Sequence, residues 1–191
     1  MNVGIISANS ALNFSLSGPL LRSVGIKWDL RKNACYESYR KLKFKVPYSL
    51  NGDCYDRYLL RIEELRQSNS LILQVLNSIP KGKIKIENYK IVPPLRFQTK
   101  SLMESLIHHF KIFSNGIFVN TGEAYVGVEA PKGEFGVYLI SNNSGIPYRC
   151  KIRAPGFTHL QTINYISKGH LIADVVTIIG TLDIVFGEID R

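Results

Sequence analysis

Apolar and small residues recur every three or four positions from residue 53 to about residue 79, which predicts one long helix with a single stripe. The turn sequence Asn51-Gly52-Asp53 is suited to capping the start of this helix, and Pro80-Lys81-Gly82 ends it. The stripe consists of Tyr55, Tyr58, Ile62, Leu65, Asn69, Ile72, Leu76 and Ile79.

Two other segments predict helices. Residues 98–113 carry apolar residues four positions apart on one face. A further helical region runs from residue 155 to about residue 179, and Gly169 interrupts it because glycine disfavours a continuous helix.

Alternating segments predict strands at residues 124–129, 134–141 and 148–153. Pro131-Lys132-Gly133 lies between the first two strands and is typical of a hairpin turn. Residues 1–46 are predicted to be irregular, with a short strand at 41–46. The chain is therefore predicted to be an α+β domain, mainly helical, with a small antiparallel sheet.

The composition is that of a globular chain, with 45% hydrophobic and 20% charged residues among 191. Cys35, Cys54 and Cys150 form no CxxC pair, which disfavours a secreted protein held together by disulfides. The sequence contains no apolar run long enough for a transmembrane helix.

The net charge of +9 is concentrated in the first half of the chain. Residues 1–50 have a net charge of +6 and residues 51–100 one of +4, whereas the remainder has −1. Such a basic region suits nucleic acid, an anionic membrane surface or an acidic neighbouring protein, or is simply a solvated face. The sequence contains no RNP, zinc-finger or helix-turn-helix signature, which weakens the nucleic-acid interpretation.

Histidines and carboxylates at helical spacing are weak candidates for a metal site. His108 and His109 are adjacent on a predicted helix, so their side chains point about 100° apart. Glu104 and His108 are four residues apart, as are His170 and Asp174, but neither pair has an evident third ligand. A structural or surface role is therefore favoured, and no metal is predicted.

Two acidic segments remain. Glu129, Lys132 and Glu134 surround the predicted hairpin turn and form either a solvated tip or a partly buried network. The last nine residues mix apolar residues with carboxylates, including Asp183 and Glu188. Carboxylates in an apolar setting are suited to proton transfer. From the residues alone, we predict one body with an internal acidic site.

Several longer segments together resemble the quinone-site subunit of respiratory complex I, the NADH dehydrogenase subunit 7 family. These segments are GIKWDLRK (25–32), NGDCYDRY (51–58), MESLIHHFK (103–111), EAPKGEFGVY (129–138), PYRCKIRAPGF (147–157), KGH (168–170) and DIVFGEIDR (183–191). They occur in order over nearly the whole chain, and their amino-acid sequences are similar to those of mitochondrial members.

The resemblance covers only the C-terminal half of that family. The other half contains the His and Tyr that hold the quinone headgroup in the family. Because the sequence starts with Met, we expect a naturally split subunit. Residues 1–191 are thus predicted to be a single half-domain, completed by a separate polypeptide with the N-terminal half.

The family is similar to the large subunit of nickel–iron hydrogenases, so the resemblance implies that fold. Where the hydrogenases carry a C-terminal cysteine motif, this chain has Asp183, Ile184, Val185 and Glu188, which cannot supply thiolate ligands to nickel. The resemblance implies instead a ubiquinone pocket lined by Val185 and Phe186, with Asp183 and Glu188 as catalytic, proton-handling groups. It also implies a polar network of Lys132, Glu129, Glu134, His108 and Arg191.

The implied activity is electron transfer to ubiquinone in a proton-translocating NADH:ubiquinone reductase. This chain is expected to bind no cofactor by itself, with iron–sulfur clusters, FMN and NADH on other subunits. The expected partners are the N-terminal-half polypeptide, a cluster-bearing subunit, membrane-arm subunits and ubiquinone, but no nucleic acid. The implied location is the matrix-side peripheral arm at the mitochondrial inner membrane.

Two alternatives stay open at this point. The chain is a structural scaffold half-subunit without direct quinone contact, or a basic module that binds nucleic acid or lipid. Altered inhibitor sensitivity after a change at Val185 would favour the quinone site over the scaffold. Salt-dependent binding by the isolated chain would support the basic module.

Overall fold

The computed structural model describes residues 2–88 and 91–190, which form two compact units. The first unit contains the described parts of residues 1–79, 126–137 and 152–191, and the second contains those of residues 80–125 and 138–151. About 47% of the described residues are helical and three strands form a small antiparallel sheet, so the predicted α+β class is confirmed. The hydrogenase-like assignment and the single half-domain stay predictions.

The strands are β1 (Gly122–Ala130), β2 (Gly133–Ser141) and β3 (Arg149–Arg153), in the order β1-β2-β3. The described helices are α1 (Ala8–Asn13), α2 (Pro19–Arg22), α3 (Leu30–Asn33), α4 (Cys54–Ser78), α5 (Arg96–Ser101), α6 (Met103–Asn115), α7 (Pro155–Gln161), α8 (Ile163–Ile166), α9 (Ile172–Leu182) and α10 (Phe186–Asp190). All three strands and the long helix lie where the sequence predicts them. Among the described residues, none of the helices has the length and apolarity needed to cross a bilayer.

Helix α4 begins as predicted at the Asn51-Gly52-Asp53 turn. The Asp53 side chain caps it by accepting a hydrogen bond of 2.8 Å from the backbone N–H of Asp56. Leu60 and Leu71 are buried, but most of the predicted apolar stripe is exposed, and Leu65 is an example. The face of α4 that carries the stripe is therefore largely open to solvent in this structure.

The N-terminal third differs from its prediction, because α1, α2 and α3 lie in a region predicted to be irregular, and residues 41–46 form no strand. Phe44 and Val46 are buried beside Leu71 of α4, which explains the alternating pattern. The backbone N–H groups of residues 43 and 45 donate to the side chains of Gln74 and Gln67 at 2.9 and 3.1 Å. Glutamine side chains thus replace the neighbouring strand that the alternation suggested.

The core of the first unit joins its two ends. Ten buried residues from the N-terminal segment, the start of α4, and α8 and α9 pack into one cluster, which contains Leu20, Ile166, Ile178 and Leu182. Their burial removes apolar surface from water and provides the main stabilisation of this unit. The core therefore holds the end of α9, and the chain that follows it, against the N-terminal segment.

The predicted helix at residues 98–113 is two helices, α5 and α6, because Leu102 adopts an extended conformation (φ −120°, ψ 127°). No glycine or proline marks this break in the sequence. In the second unit, α5 and α6 contain no buried residue, and several large apolar side chains are exposed. They include Phe97, Met103, Phe110, Phe113 and Phe118.

Candidate functional site

The turn between β1 and β2 lies directly against the N-terminal segment of the chain. The backbone N–H of Glu134 donates to the Ser17 hydroxyl at 3.1 Å. Gly18 and Gly133 have φ angles of +66° and +140°, and a Cβ on Gly18 would lie 2.5 Å from the Cα of Gly133. Only glycine permits this approach of two backbones. The acidic residues around the turn are therefore placed beside the start of α2.

Arg22, the last residue of α2, is the centre of a buried ion-pair network. Its guanidinium donates to Glu129 at 2.8 Å and to Glu64 at 2.6 Å, and it also donates to a backbone carbonyl at 3.0 Å. The Arg22 and Glu129 side chains are only 2% and 4% exposed. The network joins α2, α4 and the end of β1 through charged groups that are removed from solvent.

Burial acts on both partners of this pair. Burial raises the pKa of the Glu129 carboxyl above its ordinary value, and the nearby Arg22 charge only partly offsets this effect. For Arg22, burial lowers the pKa, but Glu64 and Glu129 outweigh it, so the net pKa is raised. Arg22 is therefore charged throughout the physiological range. Glu129 accepts a proton at a higher pH than an exposed glutamate does.

A cavity of about 330 Å³ lies next to this network. Charged residues of both signs line it, namely Arg22, Arg31, Arg61, Glu64, Glu129 and Asp183. Asp183 follows α9 in the left-handed conformation, with φ of +55°. Burial lowers the pKa of Arg61, whereas Asp183 and Glu64 act in the opposite direction. The predicted catalytic carboxylate Asp183 and the predicted network residue Glu129 thus line one cavity.

The hairpin turn also holds the C-terminal helix. Lys132 forms an ion pair of 3.0 Å with Glu188 of α10, and both side chains are 20% exposed. Glu188 accepts a second hydrogen bond, of 3.2 Å, from the backbone N–H of Gly156 at the start of α7. These contacts join two residues that the resemblance assigned to different roles, Lys132 in the network and Glu188 in catalysis.

The other predicted site residues are more dispersed. Val185 and Phe186 are 51% and 70% exposed, and neither lines the cavity that holds Asp183 and Glu129. Glu134 forms an ion pair with Arg153 of β3. His108 belongs to α6 in the second unit. Arg191 lies outside the described residues, so its predicted place in the network stays a prediction.

Several charged residues of the first unit were not predicted from the sequence. Arg22, Glu64 and Arg61 line the cavity, yet none belongs to a recognisable motif. A charged residue directly after the apolar run Pro19-Leu-Leu is the one local signal for Arg22, since arginine is rarely buried without a partner.

His159 of α7 is a second group that the sequence did not single out. The ring is fully buried beside the backbone of Ser17 and Leu182, and within the described chain neither nitrogen has a hydrogen bond of good geometry. Burial lowers the pKa of His159 to about 4, so the imidazole is neutral near pH 7. It occupies the interior between the N-terminal segment and the end of α9.

The described residues contain no group of three or more His, Cys, Asp or Glu side chains placed to hold a metal ion. Cys35 and Cys150 are exposed and Cys54 is buried, and all three are free thiols. The arrangement that remains is a cavity lined by three arginines, three carboxylates and a few apolar side chains. Such an arrangement is suited to holding and moving protons rather than to ligating a metal.

The chain is similar to known proteins over its whole length. A family model described as the 49 kDa subunit of respiratory-chain NADH dehydrogenase matches residues 1–191. The 49 kDa subunit of NADH-ubiquinone oxidoreductase from Reclinomonas americana is 59% identical over 191 residues, which are 100% of this chain and 48% of that protein.

Two further relatives have nearly the same identity. The 49 kDa subunit of NADH-ubiquinone oxidoreductase from Pylaiella littoralis is 58% identical over 100% of this chain and 48% of its own length. NADH dehydrogenase (ubiquinone) iron-sulfur protein 2 of Nephroselmis olivacea is 59% identical, again over 100% of this chain and 48% of its own length. The chain spans about half the length of the curated relatives that it matches.

Proposed function

The chain belongs to the family of the 49 kDa subunit of respiratory-chain NADH dehydrogenase, and from this premise we propose that it forms part of the ubiquinone-reduction site of complex I. In this proposal the electrons come from an iron–sulfur cluster on a neighbouring subunit, and FMN and NADH are bound elsewhere in the complex. Reduction of ubiquinone to ubiquinol takes two electrons and two protons. The contribution of this chain is one wall of the pocket and a supply of protons.

The C-terminal residues provide the wall. Val185 and Phe186 present exposed apolar side chains, and the carboxylate residues Asp183 and Glu188 flank them in the sequence. Quinone sites combine an apolar surface with a few polar groups. Because the apolar side chains are open in this chain, a second polypeptide would complete the pocket over them. The ion pair of Glu188 with Lys132 orients one of the two carboxylates.

The cavity beside Asp183 provides the single observation that carries the proposal. It places Asp183 in one polar chamber with Glu129, whose pKa is raised by burial. A proton consumed during reduction would be supplied through this chamber, in which Glu129 is the carboxyl whose pKa burial raises. The resulting change in charge would alter the electrostatic interactions of Arg22 with its partners. This is a physical starting point for coupling to proton translocation.

The exposed stripe of α4 supports a partner that carries the other half of the family sequence. The stripe members Leu65, Ile72, Leu76 and Ile79 are each more than half exposed. Apolar patches of this kind are typical of protein interfaces. Complex I also supplies the cluster-bearing and membrane-arm neighbours, and it places the chain at the matrix side of the mitochondrial inner membrane in this proposal.

The proposal is tested with Val185→Met in the assembled complex. The longer methionine would project into the pocket and change the apparent KM for ubiquinone, or the inhibitor concentration for half inhibition, roughly tenfold. Val176→Met, at an exposed position of α9, is the matched control and should leave both unchanged. Assembly is checked by the amount of intact complex in each preparation.

One observation favours a second candidate, a scaffold half-subunit without direct quinone contact. Val185 and Phe186 do not line the cavity that holds Asp183 and Glu129. If Val185→Met leaves the kinetics and inhibitor sensitivity of a fully assembled complex unchanged, the scaffold function is supported and the quinone-pocket proposal fails.

A further inference from the structure

A basic groove on the first unit is separate from the cavity next to Asp183. This lysine groove has a volume of about 540 Å³ and is lined by Lys27, Lys32, Lys45, Tyr48, Leu59 and Glu63 among others. Its residues come from the loops around α3 and from the first half of α4. The groove lies within the region of the sequence that carries most of the net positive charge.

The three lysines of the groove are exposed, and none forms an ion pair with any residue that the structure describes. Two of them are held over aromatic rings: Lys27 Nζ lies 5.4 Å from the centre of the Tyr48 ring, and Lys32 Nζ lies 4.9 Å from that of Phe44. Such contacts orient an ammonium group without neutralising its charge. The groove therefore presents three ammonium groups, which outnumber Asp56 and Glu63, the two carboxylates that also line it.

The floor of the lysine groove is apolar. Tyr48 and Leu59 line it and remain 52% and 44% exposed. A ligand that fills the groove must bring apolar side chains for the floor and carboxylates for the lysines. We propose that the lysine groove binds a segment of a partner polypeptide in which Asp or Glu residues alternate with apolar residues.

Other polyanions fit the lysine groove less well. Single-stranded nucleic acid binds by stacking bases on free aromatic faces, but cations already lie over Tyr48 and Phe44. A bilayer surface is broad and flat, whereas this site is concave. The proposal goes beyond the proposed function and does not depend on contact with quinone.

Zero-length cross-linking with a water-soluble carbodiimide tests the proposal in the purified, assembled complex. The reagent joins a lysine amine to a carboxylate only where the two are in contact, and mass spectrometry identifies both residues. We expect Lys27, Lys32 or Lys45 to be joined to Asp or Glu residues within one short, otherwise apolar segment of another polypeptide.

Charge removal provides the second measurement. Lys27→Gln, Lys32→Gln and Lys45→Gln together should weaken retention of the cross-linked polypeptide roughly tenfold in a salt titration, because each exposed pair contributes modestly. The matched control replaces the exposed Lys81, Lys85 and Lys111 by glutamine and should have no such effect. Nuclease and detergent treatments before cross-linking distinguish nucleic acid and lipid.

Three results would overturn the proposal. The first is cross-linking only to carboxylates of this chain, such as Glu63. The second is ready acetylation of all three lysines in the assembled complex, which would show an empty groove. The third is protection of the lysines that disappears after nuclease or detergent treatment, which would assign the groove to nucleic acid or to a membrane.

Discussion

Replacement of Arg22 by glutamine removes the cation that two buried carboxylates share. Arg22 donates to Glu129 at 2.8 Å and to Glu64 at 2.6 Å, and the side chains of Arg22 and Glu129 are almost fully removed from solvent. Glutamine keeps a polar group of smaller size but has no charge. The variant therefore removes the cation that is hydrogen-bonded to both Glu64 and Glu129, and only the more distant charges of Arg61 and Arg31 still act on them.

Loss of one partner of a buried ion pair costs about 3–5 kcal/mol of unfolding free energy, because the remaining charge is uncompensated. We expect a value near the lower end, about 3 kcal/mol, because Glu64 is 16% exposed and retains some hydration. This corresponds to a roughly hundredfold decrease in the ratio of folded to unfolded chain.

The loss of unfolding free energy in Arg22→Gln should depend on pH. Burial already raises the pKa of Glu129, and loss of Arg22 raises it further. An acid whose pKa is raised by folding contributes stability at low pH, and that contribution is lost as the pH rises through its folded pKa. The difference between the variant and the native chain should therefore shrink when the pH is lowered from 8 to 5.

Pulse proteolysis of the full chain in its assembled state, across a urea series, measures the effect. A loss of about 3 kcal/mol shifts the midpoint by roughly 1–2 M urea. Arg66→Gln is the matched control, since Arg66 forms an exposed pair with Glu63. The reasoning is refuted if Arg22→Gln costs no more than Arg66→Gln, or if its deficit does not shrink in acid.

Two further predictions follow from buried positions. Folding lowers the pKa of His159 from 6.5 to about 4, so its contribution to stability is present above pH 6.5 and falls by about 2 kcal/mol at pH 5. Urea denaturation above pH 6.5 and at pH 5 should show this loss of stability in the native chain but not in His159→Gln. The same pH dependence in both proteins would contradict the prediction. Gly133→Ala should destabilise the chain by at least about 1 kcal/mol, since φ is +140° and the new Cβ would overlap Ser17. Gly122→Ala, with open space around it, is the control, and equal urea midpoints would refute the steric argument.

Local sequence patterns predicted the secondary structure well where backbone groups form their hydrogen bonds within one helix or with a neighbouring strand. The long helix α4 and all three strands lie close to their predicted positions. The strand expected at residues 41–46 failed because Gln67 and Gln74, more than twenty residues away, supply its hydrogen bonds. The break between α5 and α6 at Leu102 was not predicted, because no residue type near it signals an interruption.

The candidate site was predicted only in part. The resemblance named Glu129, Lys132, Asp183 and Glu188, and the structure pairs Lys132 with Glu188 and places Glu129 and Asp183 around one cavity. It could not identify Arg22, because a single arginine after an apolar run has no motif. Direct contact of Val185 and Phe186 with quinone stays a prediction.

The sequence by itself determined the long helix α4 and the three strands, where the net charge is concentrated, and which family the chain resembles. These properties depend on residues close together along the chain or on long ordered motifs. Only the tertiary structure decided which charges are buried together, because the partners of Arg22 lie 42 and 107 residues away. Burial and pairing over such separations result from packing of the whole unit, and they turn ordinary charged residues into the polar cavity beside Asp183.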